Sequence, residues 1–193
     1  MNLSPSTEIR LRRGFKILNR FMLMLWRLGL GRYGNGNKFA GWIMVIKHRG
    51  HRTGRTRYAP VNYAEVGDDI YCTAGFGPGT HWYRNLLADP RVELWLPDGR
   101  WSGLAEDASQ DPQRIAFFRQ VLIASGFAGP LFGLNPHRMS DNELESVLEG
   151  YRLVRIRKTG PLTGPGGPGE LAWIWPLSTF FMLALLLRRR KRV

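Results

Sequence analysis

Between residues 41 and 106 the chain repeats one rhythm: a short apolar or β-branched run, then a turn signal. Residues 41–48 read as a strand, followed by a basic, glycine-punctuated turn at 49–56. Residues 57–66 and 69–74 read as strands around a Gly67-Asp68 turn. Residues 91–96 and 100–106 read as a hairpin around Pro97-Asp98-Gly99. Residues 151–158 add a last strand. Helices are expected at 81–88, stopped by Asp89-Pro90, and at 112–125, where Ile115, Phe118 and Leu122 share a side. Ser140 and Glu143 form a capping box that opens a helix to Glu149. Helices so placed are not regular βαβ crossovers, which disfavours a doubly wound dinucleotide fold. Six short strands with a few helices predict an α+β domain: a small, partly open β-barrel with helices packed outside.

Charge placement narrows the function classes. The formal net charge is +13, from 28 Lys and Arg against 15 Asp and Glu. Residues 1–58 carry 13 basic side chains and one acidic, residues 59–170 carry 10 and 14, and residues 171–193 carry five and none. One uniform basic surface for nucleic acid is therefore disfavoured, and no nucleic-acid partner is expected. An aromatic content of 12% is enough to fill a core and argues against disorder. The single cysteine, Cys72, excludes an internal disulfide and a cysteine-cluster metal site. His48, His51, His81 and His137 have no metal-ligand spacing with Asp or Glu, so no metal is expected. No Gly-x-Ser-x-Gly elbow is present. An enzyme built this way leaves its chemistry to a cofactor.

The two ends differ from the middle. Residues 7–30 predict a basic amphipathic helix, with Arg13, Lys16, Arg20 and Arg27 on one face and Phe15, Leu18, Met22, Leu25 and Trp26 largely off it. Charges interrupt the apolar stretch, so it is neither a signal peptide nor a good membrane span. Such a helix either packs on the domain or lies in a membrane interface. Residues 171–187 are 17 residues without a charge, followed by a basic tail at 188–192. A helix of that length rises about 25 Å, against about 30 Å of hydrocarbon. Trp173 and Trp175 at one end and the basic tail at the other read as interfacial anchors. The Gly- and Pro-dense stretch 159–169 reads as a linker. The expected division is a helix and connector (1–37), a globular domain (38–158), a linker (159–170) and a hydrophobic membrane anchor (171–193). Positive charge at the end and no export signal before the domain favour an anchor in one leaflet, with the domain on the cytoplasmic face. A crossing anchor is the alternative.

Two glycine-rich segments carry candidate chemistry. Gly50-His51-Arg52-Thr53-Gly54-Arg55-Thr56-Arg57 joins two strands. Its glycines allow a tight turn and close approach of amides to an anion, and Arg52, Arg57 and the Thr53 hydroxyl add donors. It is either a phosphate cradle or an exposed basic hairpin tip. The Walker order is absent. The second segment runs from Gly75-Phe76-Gly77-Pro78-Gly79-Thr80 into His81-Trp82-Tyr83-Arg84-Asn85-Leu86. Amides at a helix start favour a phosphate or a ring carbonyl. Trp82 and Tyr83 are either core or ring-stacking residues.

Taken together, the two segments resemble the deazaflavin (coenzyme F420)-dependent nitroreductase and quinone reductase family. The matching residues are Gly50, Arg52, Thr53, Gly54, Arg57, Pro60, Gly67, Asp68, Trp82, Tyr83, Asn85, Leu86, Ala88, Asp89, Pro90 and Val92, over about residues 40–158. The resemblance implies a split β-barrel of the FMN-binding type. It implies contacts from His51, Arg52, Thr53 and Arg57 to the cofactor's phosphate and anionic tail, with Tyr58, Ala59, Pro60, Val61 and Asn62 alongside. Thr73, Ala74, Gly75 and Phe76 would line the deazaflavin, and His81, Trp82, Tyr83, Arg84 and Asn85 would complete its pocket. The implied reaction is hydride transfer from reduced F420 to a quinone or nitro acceptor; the expected anchor adds membrane lipid as a partner and a membrane quinone as a candidate acceptor. FMN is the alternative cofactor, and a non-catalytic membrane-surface module that binds a cofactor or lipid is the alternative role. His51 stands where the family usually has a second basic side chain, which implies an affinity for phosphate that is either weaker or pH-dependent. The family's C-terminal aromatic has three candidate matches, Phe127, Phe132 and Tyr151.

Overall fold

The computed structural model describes residues 5–37, 41–126, 128–131 and 133–190. Its strands are β1 (Ile43–Arg49), β2 (Thr56–Val66), β3 (Asp69–Ala74), β4 (Arg91–Leu96), β5 (Gly99–Asp107) and β6 (Arg152–Pro161). They close into an antiparallel barrel in the order β1-β2-β3-β6-β5-β4. The helices are α1 (Pro5–Arg27), α2 (His81–Ala88), α3 (Arg114–Ala124), α4 (Ala128–Leu131), α5 (Asp141–Leu148) and α6 (Ile174–Arg190). The α+β barrel with outer helices is the fold class expected from the sequence. Phe127 and Phe132 lie outside the described residues.

Local signals set the hairpins. Gly67 turns between β2 and β3 at φ +61°, where a β-carbon is disfavoured. The β4–β5 ladder runs down to Leu96 opposite Gly99, leaving Pro97-Asp98 as the turn. Closure is non-local. Lys47, Ile46 and Val45 of β1 pair with Glu93, Leu94 and Trp95 of β4, and β6 pairs with both β3 and β5. Closure removes the free edges of the expected partly open barrel. β6 also runs past Lys158 to Pro161, with a register shift at Ser102 and Gly103 that lets it continue beside β5.

The barrel interior is filled by Met44, Ile46, Ile70, Cys72, Leu94 and Ile156, among others. Two outer layers cover it. α3 and α5 pack Phe118, Val121, Leu144 and Leu148 on Tyr71 and Leu153, and Phe117 stacks on Tyr71 at 4.2 Å. α5 is opened by the Ser140 and Glu143 capping box. On another face the end of α1 packs Trp26 on Val45 and Trp95. Met44, Val45 and Ile46 are therefore all buried, where a half-exposed strand would alternate. Gly31 follows the helix because a β-carbon there would lie 2.3 Å from the Trp26 ring.

The stretch read as a linker is docked. Glu93 accepts from Lys47 Nζ at 2.8 Å, Arg100 Nε at 2.9 Å and Trp95 Nε1 at 2.8 Å. Arg100 in turn donates to the carbonyls of Gly164 and Pro165. Further on, Gly169 N donates to Trp26 O and Leu171 N to Arg27 O, each at 2.8 Å. Glu170 pairs with Arg27, and Trp175 Nε1 donates to Leu28 O at 3.0 Å. The start of α6 is thus clamped to the end of α1. Beyond the clamp α6 exposes apolar side chains from Trp175 to Leu187. Among the described residues, no helix is long and apolar enough to cross a membrane.

Candidate functional site

The Gly50–Arg57 segment is the turn between β1 and β2. Gly54 sits at φ +64°, and its N–H donates to Gly50 O at 2.7 Å, as Thr53 N does at 3.2 Å. Gly50 N donates to Arg55 O at 2.9 Å, and Arg55 N to Thr53 Oγ1 at 3.4 Å. A β-carbon at Gly50 would crowd Thr53 Oγ1 at 3.1 Å. The expected amide cradle is therefore largely spent on the turn itself. The free donors are side chains. Arg52, Arg55 and Arg57 are exposed, and among the described residues they form no ion pair. Three cations held together without a carboxylate repel one another, and an anion relieves that repulsion.

This turn is tied to α2. Asn85, on α2, is buried and accepts from His51 N at 3.0 Å, and it lies 2.6 Å from His51 Nδ1. Its amide nitrogen lies 3.3 Å from Nδ1 of buried His48 on β1. Burial holds the His48 ring below its ordinary pKa; a bond at the Arg49 backbone opposes this, and the Arg57 charge adds to it. His48 is a strand residue with no motif around it, so nothing in the sequence marks it.

The Gly75–Thr80 loop leads into α2 by a short 3-10 turn, Gly77–Gly79. Gly77 sits at φ +63°, and a β-carbon there would lie 2.7 Å from Gly150 O. Tyr151, one of the three aromatics named above, lies against Gly75 and packs on Phe118. Phe76 meets Phe15 of α1 edge to face at 5.8 Å, a contact between segments far apart in the sequence. Thr80 Oγ1 is buried with no hydrogen-bond partner among the described residues, leaving an unspent polar group at the start of α2.

The other predicted residues fall as follows. Arg57 and Tyr58 open β2, with Tyr58 tilted on Trp95 at 5.3 Å. Ala59 is buried, Pro60 lies opposite Val45, and Val61 packs on the main core. Asn62 donates to Trp42 O at 3.2 Å. Thr73 and Ala74 end β3, and Ala74 is in the core. His81 and Arg84 are exposed on α2. Trp82 packs against the core and Tyr83 is in it. The Tyr83 hydroxyl donates to Asp107 at 2.7 Å; burial and that carboxylate push its pKa up to about 12. The structure thus gathers the basic turn and α2 around Asn85 and sets the Gly75–Thr80 loop at the start of α2.

Nucleophilic alternatives find no footing here. Burial pushes the Cys72 thiol well above its usual range, so it is not a thiolate nucleophile. Among the described residues no cluster of three His, Cys, Asp or Glu gathers to hold a metal. A concavity of about 450 Å³ lies elsewhere, between Trp42, Tyr63, Glu65, Gln120 and Ile123, and none of the predicted site residues lines it. The exposed donors of the turn and the unspent Thr80 hydroxyl fit a cofactor with an anionic tail and a polar ring.

The family model described as F420H(2)-dependent quinone reductase matches residues 28–128. No curated protein matches the chain. Among solved structures, an F420-H2 dependent reductase is 16% identical, covering 60% of this chain and 93% of its own, at a TM-score of 0.43. A conserved hypothetical protein from Mycobacterium tuberculosis is 18% identical, covering 65% and 84%, at 0.43. The heme storage protein from Vibrio cholerae is 14% identical, covering 63% and 82%, at 0.40.

Proposed function

The chain belongs to the F420H(2)-dependent quinone reductase family, and from that premise we propose that it reduces a quinone- or nitro-type acceptor with reduced F420 at a membrane surface. The observation that carries this reading is the set of exposed guanidiniums, without an ion pair among the described residues, on a glycine-cornered turn bonded to α2. Arg52, Arg57 and the Thr53 side chain hold the anionic tail. Thr73 to Phe76 and the start of α2 orient the ring. Reduced F420, when bound, would supply the hydride, and the proton released as it is oxidised would balance the one the acceptor takes up. The protein's work is positioning, so that hydride donor and acceptor meet in a near-attack arrangement.

Two features support the membrane part. Ile17, Phe21 and Met24 of α1 are exposed at spacings of four and three, on a helix that also exposes Arg13, Lys16 and Arg20. α6 is apolar and exposed along its length and ends in arginines. The clamp between Trp26–Leu28 and Gly169–Trp175 fixes the two helices to each other at one end. A lipid interface satisfies both apolar surfaces, and anionic headgroups match the basic side chains.

The test is turnover. Mixing the protein with reduced F420 and a panel of quinones and nitro compounds should give protein-dependent appearance of oxidised F420. Binding of F420 without oxidation across the panel would make the protein a carrier instead.

A further inference from the structure

Asn85 does more than fill a buried position. Its Oδ1 faces both the main-chain N–H of His51, at 3.0 Å, and the ring Nδ1 of His51, at 2.6 Å. A main-chain N–H can only donate. The atom facing His51 is therefore the carbonyl oxygen, and the other end of the amide, 3.3 Å from His48 Nδ1, is the NH₂. Two assignments follow by elimination. His51 Nδ1 carries a proton, because it faces an acceptor. His48 Nδ1 carries none, because it faces a donor, so the His48 proton is on Nε2 and the ring is neutral. One backbone N–H thus fixes the orientation of the Asn85 amide and, through it, the tautomers of two histidines.

We propose that Asn85 is a positioning residue that locks His51 in the Nδ1–H form, so that Nε2 is the ring atom offered to the cofactor's phosphate and takes up a proton as the phosphate binds. This rests on the cofactor reading above. His51 is exposed, and its Nε2 has no hydrogen-bond partner among the described residues. Five of the turn amides, those of Gly50, His51, Thr53, Gly54 and Arg55, are already committed, so a side-chain donor at this position has work to do. The charged groups on the turn and the strand ends beside it are the guanidiniums of Arg49, Arg52, Arg55 and Arg57, with neutral His48; farther along the strands, Lys47 pairs with Glu93 and Glu65 with Lys158. α2 brings Asn85, His81 and Arg84, and Asp89 at its end is paired with Arg91. Among the described residues no carboxylate pairs with His51, so an arriving phosphate is the first negative charge it meets. With Nδ1 bonded to Asn85, the charged ring donates through Nε2, and binding takes up one proton.

The first readout needs no cofactor. In protein labelled with ¹⁵N in its histidine rings, long-range couplings should report His51 as Nδ1–H and His48 as Nε2–H, and Asn85→Ala should abolish the His51 preference. A wild-type His51 with its proton on Nε2 overturns the assignment whether or not the variant folds. The second readout is F420 affinity against pH. Wild-type affinity should fall about fivefold or more from pH 6 to 8.5, as expected for one linked proton. The exposed substitution His51→Gln should flatten that slope, whereas Arg57→Ala should weaken binding at every pH. An equal slope in His51→Gln overturns the proposal while the cofactor reading stands. Absence of F420 binding at any pH overturns the cofactor reading, and with it the role given to His51.

Discussion

Replacing Trp26 with alanine should loosen both ends of the chain at once. Trp26 is 1% exposed and packs on Val45 and Trp95, and its carbonyl receives Gly169 N. A buried aromatic side chain removes about 150–250 Å² from water, worth about 4–6 kcal/mol at 25 cal/mol/Å². Residual burial in the unfolded chain trims that by about 10–40%. The indole Nε1 is buried without a hydrogen-bond partner among the described residues, so its removal returns about 1 kcal/mol. The expected net loss is about 3 kcal/mol, the low end for such truncations. Urea unfolding followed by circular dichroism measures it. Limited proteolysis should gain cuts near residues 20–30 and also near 165–173, because the start of α6 hangs on the same carbonyls. Trp26→Phe should lose much less. A loss under about 1 kcal/mol, with an unchanged cleavage pattern, would refute the claim that Trp26 holds α1 on the barrel.

Three further outcomes follow from the same contacts. Gly77→Ala combines a positive φ with a β-carbon 2.7 Å from Gly150 O, so it should cost about 1–3 kcal/mol and weaken F420 binding; a fully stable variant with unchanged affinity would show that the loop's packing is not needed. Burial alone would raise the Glu93 pKa, but bonds from Lys47, Arg100 and Trp95 outweigh it and hold the carboxyl below its ordinary 4.5. Its stabilisation is therefore complete above about pH 4.5 and is lost as pH falls through the lowered folded value. Glu93→Gln should lose about 1–3 kcal/mol at pH 7 and unfold with a shallower acid slope, as read by denaturation at several pH values. A chain ending at Glu170 should keep part of its binding to anionic vesicles in flotation assays, through α1. Complete release would remove α1 from the lipid contact.

Much of the barrel was legible because strands and turns are local events. The runs 69–74 and 91–96 match β3 and β4, and the Ser140 capping box opens α5 as read. Closure was not legible, because pairing Val45 with Trp95, or Cys72 with Val154, depends on distant segments meeting. The Gly- and Pro-dense stretch misled for a related reason. Its composition forbids a regular element in isolation, yet β5 extends β6 to Pro161 and Arg100 pins the carbonyls beyond. Within the candidate site the basic turn and the start of α2 stood out as glycine- and arginine-rich segments. His48, Phe15 and the Thr80 hydroxyl did not, since each matters only through a neighbour brought in by the fold.

The most direct measurement is a titration of the purified protein with F420, followed by tryptophan fluorescence. The account predicts binding in the micromolar range for the wild type. Arg57→Ala should bind about tenfold more weakly or worse, since a charge-assisted contact contributes about 1.5–3 kcal/mol. No F420 binding at micromolar concentration, or tight FMN binding in its place, would contradict it.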